Sequence, residues 1–189
     1  SIQGPSGSGK SHLASVIASV AASEASVEPF DISQAVNGDT KAVRDLRQVL
    51  ATARIFAQKS EDKSHVRFLV LEKAEALVSY QNHQPLRSNL NRQTVIIEII
   101  VQELRLWRDE ALPIVLLMPW ASSFNIPAEL CGSGVFEGHL LLPTPLSSSQ
   151  RLAVLLVCAK ALPLAEDGDE ILKRESEVTG GFLPCDLSA

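Results

Sequence analysis

Gly4, Gly9, Lys10 and Ser11 stand at the spacing G-x-x-x-x-G-K-[ST], and these residue types at that spacing suit one task, the holding of phosphate. In Gly4-Pro5-Ser6-Gly7-Ser8-Gly9-Lys10-Ser11 the glycines permit the turns that bring backbone N–H groups close to phosphate oxygens. Lys10 would set an ammonium against the β and γ phosphates, and Ser11 would offer its hydroxyl to Mg²⁺. A helix starting there points its positive end at the same anion. At average residue frequencies the pattern arises by chance in about 1 in 100 chains of this length. The loop is therefore read as a site for ATP or a related nucleoside triphosphate, with Mg²⁺.

Magnesium at such a loop needs a second acid, placed at the end of a neighbouring buried strand. The run Val66-Arg67-Phe68-Leu69-Val70-Leu71 is too short and too apolar for a surface helix and stops at Glu72-Lys73. It predicts a buried parallel strand. Glu72 is the acid in the right context, expected to reach the metal through water.

The elements that must carry these residues are legible from periodicity. Leu13, Val16, Ile17 and Val20 predict a helix from Lys10 to about Ala22. Residues 27–32 read as a short strand, closed by a turn at Asn37-Gly38-Asp39. Val43, Leu46, Leu50, Ala53 and Ala57 form one stripe of an amphipathic helix over 41–59. Residues 79–92, rich in Asn, Gln, Ser and Arg, read as an exposed loop.

Residues 93–109 set propensity against spacing. Their β-branched content favours a strand, yet Glu98, Gln102, Arg105 and Asp109 fall on one helical face while Ile96, Ile97, Ile100, Val101 and Leu104 fall on another. Spacing is preferred, and a helix is expected. Ile114 to Met118 then reads as a third strand, ended by Pro119, and residues 138–142 as a fourth. From Ser147 the pattern turns helical, and again over 170–177. The organisation expected is a large α/β nucleotide-binding subdomain over 1–145 and the start of a small helical lid subdomain over 146–189. Only Ser1, Ile2 and Gln3 precede the loop, so its leading strand is expected to be truncated.

Composition narrows the function classes. The 189 residues are 46% hydrophobic and 21% charged, as in folded globular proteins, and the net charge of −5 argues against a general grip on nucleic acid or an anionic membrane. The three cysteines, Cys131, Cys158 and Cys185, are widely spaced and odd in number, which argues against a disulfide framework or zinc site. No apolar run approaches a membrane span. The chain reads as cytoplasmic, without direct membrane insertion.

Taken in order, GPSGSGKS, FLVLEKAEAL, IVLLMPW, NIPAEL, GVFEGHLLLPTP and the closing TGGFLPCDLSA resemble the AAA ATPases over nearly the whole chain. The resemblance implies a P-loop α/β subdomain with a parallel sheet, a small helical lid, ATP and Mg²⁺ as ligands, and a hexameric ring of AAA subunits, homo- or hetero-oligomeric, acting on a protein substrate.

The departures from that pattern bear on hydrolysis. The family ends its acidic strand with Asp-Glu, the Glu activating water, where this chain has Glu72-Lys73. A charged lysine has no lone pair with which to act as a base. Glu75 is the fallback base. The polar residue expected after the next strand is replaced by Trp120, with Ser122 and Ser123 nearby, and no arginine stands in Leu130-Cys131-Gly132-Ser133-Gly134-Val135-Phe136-Glu137 where interface arginines are expected. Ala35-Val36-Asn37-Gly38 lacks the aromatic residue of a pore loop.

This pattern of losses is similar to the first ATPase domain of the peroxisomal AAA peroxins, which implies recruitment to an organelle membrane such as the peroxisome. The function expected is an ATP-binding ring and assembly element with little or no hydrolysis of its own. The alternative is a working ATPase that uses Glu75.

Overall fold

The helix whose residues individually favour a strand is where the core is built. In a computed structural model of the chain it runs from Arg87 to Asp109. Ile96, Ile97, Ile99, Ile100 and Val101 are buried, while Glu98, Gln102, Arg105 and Asp109 face solvent. Burial of a contiguous apolar stripe, at about 1.5–3 kcal/mol per large side chain, outweighs propensity differences of a few tenths. The structure describes residues 1–21, 29–59, 66–78, 87–121, 125–132, 135–145, 147–160 and 167–188, with the backbone alone for 21 and 87–90.

Six short strands are described: β1 (Ile2–Gly4), β2 (Phe30–Asp31), β3 (Arg67–Glu72), β4 (Ile114–Leu117), β5 (Pro119–Ala121) and β6 (Leu140–Leu141). All the pairings among them are parallel. One sheet has the order β5-β1-β6 and the other β2-β3-β4. Only Met118 separates β4 from β5, so a single run of chain joins the two sheets. The third strand ends at Leu117, one residue short of the expected Met118, and Pro119 opens a further strand, β5, opposite Ile2. Pairing with β3 stops at Leu117, so the proline's missing N–H falls where the chain changes partners. The Met118 carbonyl accepts from the Ile2 N–H at 3.0 Å.

The helices pack around these strands: α1 (Lys10–Ala21), α2 (Ile32–Val36), α3 (Thr40–Lys59) and α4 (Arg87–Asp109), then α5 (Ala128–Cys131), α6 (Ser148–Ala159), α7 (Gly168–Val178) and α8 (Pro184–Leu187). The protein is thus an α/β fold of small parallel sheets flanked by helices. The α3 stripe is as expected, with Leu46 and Leu50 fully buried. Two readings need correction. The strand expected over 27–32 is described only at Phe30–Asp31, because the Asp31 side chain caps a helix that starts at Ile32. The loop expected over 79–92 is helical from Arg87, since Gln93 is buried and its side-chain nitrogen donates to the Ala76 carbonyl. Residues 79–86 lie outside the described residues.

After Pro145 the chain is helical. α6 starts with a reciprocal cap between Ser147 and Gln150, and Arg151, 6% exposed, donates through Nε to the Ser176 carbonyl at 2.9 Å. That bond ties α6 to α7. No helix among the described residues is long and apolar enough to cross a membrane.

Candidate functional site

The eight residues of the phosphate-loop motif leave β1 at Gly4 and enter α1 at Lys10. The strand–loop–helix order is the one the motif demands. Gly7 and Gly9 have φ of +83° and +85°, a left-handed backbone that side chains disfavour. A Cβ on Gly4 would approach Ser8 Oγ to 2.7 Å and the Leu142 carbonyl to 2.9 Å, so the loop has no room for a larger residue there. The Ser8 N–H donates to the Pro5 carbonyl at 3.2 Å and the Leu13 N–H to Gly9 at 2.8 Å, which closes the first turn of α1. With no acidic side chain in that turn, the positive end of α1 is uncompensated.

A cavity of about 610 Å³ opens above the loop. Ser6, Gly7, Gly9, Lys10, Ser11 and His12 line it from the loop and α1. Lys73 and Glu75 enter from the chain that follows β3, and Pro119 from β5. Pro184, Cys185 and Ser188 close it from the far end of the sequence. The cavity lies at the carboxyl ends of β1 and β3, where open parallel sheets place their ligands. A larger cavity of about 720 Å³ lies at the opposite ends of the strands, around Ser1, Ile114 and Leu140, away from the loop.

The charges in the site are specific. Lys10 Nζ folds back to donate to the Pro5 carbonyl at 2.6 Å. Burial lowers its pKa, and the Glu75 carboxylate acts in the opposite sense. Lys73 Nζ lies 2.6 Å from Asp31 Oδ2, a contact across neighbouring strands made possible by the β2–β3 register that sets Asp31 opposite Glu72. Its hydrogen bond and ion pair with Asp31 raise the Lys73 pKa, with smaller contributions from Glu72 and Glu75. For Asp31, burial works against the ionised form, but hydrogen bonds from Lys73 and Ser33 outweigh it and hold the carboxyl below its ordinary value.

The structure brings together all the loop residues except Gly4, Pro5 and Ser8 as cavity lining, and Pro5 takes part by holding Lys10. Glu75 lines the cavity; Glu72, half-buried at the end of β3, lies outside that lining. Trp120, which stands where the resemblance calls for a polar residue, is fully buried in the core. Ser122, Ser123, Ser133 and Gly134 lie outside the described residues, while Leu130 and Val135 are buried.

Magnesium keeps several waters and is held by one or two carboxylates together with substrate phosphates. The Ser11 hydroxyl and a nearby carboxylate fit that modest requirement without a preformed cluster of protein ligands, and among the described residues there is no such cluster.

Sequence reasoning missed the contribution of α8. The Cys185 N–H donates to the Gly7 carbonyl at 3.2 Å, and a Cβ on Gly7 would collide with Cys185 Sγ. Gly7→Ala is therefore expected to combine a left-handed alanine, about 1–2 kcal/mol, with eviction of α8 from the loop. A lower melting temperature together with faster hydrogen exchange at the Cys185 amide, which donates to the Gly7 carbonyl, is the expected result, and unchanged exchange at that amide would count against the docked arrangement.

No protein-family model matches the chain, and no curated protein matches its sequence. The class that the fold defines is an α/β protein of parallel strands and flanking helices, an arrangement consistent with a phosphate-loop fold.

Proposed function

We propose that the chain is an ATP-binding module of the AAA type, in which bound nucleotide stabilises a ring of subunits and hydrolysis at this site is slight or absent. The observation that carries the reading is the loop itself. It leaves a parallel strand, turns through two left-handed glycines, and delivers Lys10 and Ser11 to the exposed positive end of α1 inside a cavity. A ligand that binds only the folded, assembled state stabilises it by mass action, without turnover. Mg²⁺ would be held by Ser11 and, through water, by Glu72. The ring, its other AAA subunits, its protein substrate, a cytoplasmic location and recruitment to the peroxisome belong to the same proposal and rest on the family resemblance.

Lys10→Ala tests the core of it. Charge-assisted hydrogen bonds contribute about 1.5–3 kcal/mol each, so the loss of Lys10 is expected to weaken Mg–ATP binding by tenfold or more in calorimetry. Equal affinity with and without Lys10 would place the nucleotide elsewhere.

One observation favours a second reading, hydrolysis with Glu75 as base. Glu75 is the carboxylate in the cavity lining, and Glu75→Gln would then abolish turnover while sparing binding.

A further inference from the structure

Lys73 enters the reading above only as the residue that replaces a base. Its position indicates a positive role. We propose that Lys73 is a second phosphate-binding cation, which engages the terminal phosphate and makes the site prefer a nucleoside triphosphate to the diphosphate. The inference rests on the reading of the loop as a nucleotide site.

Three observations support it. First, Lys73 lines the same cavity as Lys10 and Ser11 but approaches from β3, across from the loop. The loop amides and Lys10 hold the phosphates seated in the loop. A cation supplied from the neighbouring strand meets the phosphate that projects beyond it. Second, the Lys73 backbone is left-handed, with φ 54° and ψ 40°. For a residue other than glycine that conformation costs of order 1 kcal/mol and tends to persist at ligand sites. Here it ends β3 and turns the chain into the 3-10 turn Ala74–Leu77, bringing both Lys73 and Glu75 to the cavity. Third, among the described residues the cavity lining contains two lysines and one carboxylate, Glu75, which acts electrostatically on both lysines. That lining is cationic, and Asp31, outside it, is the counter-ion that Lys73 holds without a ligand.

Asp31 explains how the ammonium is kept in the absence of ligand. Its carboxylate is fixed by the Ser33 N–H at 2.9 Å and by the Ser33 hydroxyl, so the partner able to move is the lysine, whose side chain is 59% exposed. An ammonium has three protons, and the bond to Asp31 uses one. Lys73 can therefore add a phosphate oxygen while keeping Asp31, or exchange one for the other.

The test is calorimetric titration of the full chain with Mg–ATP, its non-hydrolysable imido analogue and Mg–ADP, for the unmutated protein and for Lys73→Met, Lys73→Arg, Asp31→Asn and Lys10→Ala. Lys73→Met is expected to weaken both triphosphates about tenfold, the equivalent of one charge-assisted contact, and to leave the diphosphate within about twofold. Lys73→Arg should recover most of the loss, and Asp31→Asn, which releases the ammonium, should hold or raise triphosphate affinity.

Unchanged triphosphate affinity in Lys73→Met overturns the proposal. So does an equal loss for both nucleotides, or a matching loss in Asp31→Asn, since either would mark the Asp31–Lys73 pair as structural. If binding depends on Lys10 but not on Lys73, only this inference fails. If the unmutated chain binds neither nucleotide, or Lys10→Ala binds as well as the original, the reading of the loop fails and this inference with it.

Discussion

Trp120→Ala is expected to remove a large part of the stability of the fold. The indole is fully buried in β5, between the two sheets' shared run of chain and the main core. Truncating a buried tryptophan costs about 3–5 kcal/mol, against a total of about 5–15 kcal/mol for a domain of ordinary size. Trp120→Phe should cost much less. Among the described residues the indole N–H has no hydrogen-bond partner, so phenylalanine gives up volume but sheds a buried donor that contributes nothing. Urea unfolding followed by circular dichroism would show a large shift of midpoint for alanine and a small one for phenylalanine. An alanine variant with an unchanged midpoint would mean that Trp120 is not part of the core.

In the ring proposed above, with every other ATP site disabled, single-turnover hydrolysis should show almost no turnover at this site. A general base contributes about 10²–10⁴-fold, and an arginine finger about 10³–10⁵-fold in related nucleotide hydrolases. Lys73 stands where the base is expected, and Leu130 and Val135, in the stretch where the arginines are expected, are packed into the core. Lys73→Glu should not rescue the activity, since it restores one part alone. It should also weaken binding of the triphosphate, because a carboxylate would replace the cation proposed to hold the terminal phosphate. Rapid turnover by the unmutated domain would overturn the idle-site reading and move the base to Glu75, which already lines the cavity.

The local elements were legible in the sequence because each follows from a short-range pattern. The strand–loop–helix order around Gly4 to Lys10 was recognisable from four residues at one spacing, the strand at Arg67–Glu72 from a short apolar run, and the helix over 93–109 from the separation of Ile96 and Ile100 from Glu98 and Gln102. In that helix, spacing outranked propensity because burial energies exceed propensity differences. The β2 reading failed at Ile32 for an equally local reason that was passed over, the capping of α2 by the Asp31 side chain.

What only the tertiary structure decided is which residues meet. Asp31 and Lys73 are 42 positions apart and touch because β2 and β3 pair in a register that no local pattern reveals. Gly7 and Cys185 meet through a carbonyl and an N–H from opposite ends of the chain, and backbone groups carry no signature in residue type. Pro119 was read as a stop signal, and the third strand does end just before it, at Leu117. That the chain then changes neighbours at Met118 and pairs with β1 from Pro119 on was decided by the tertiary structure. Trp120 stands in the sequence where the resemblance calls for a polar residue, and only the tertiary structure, through the pleat that decides which side of a strand a side chain takes, shows that its indole goes into the core.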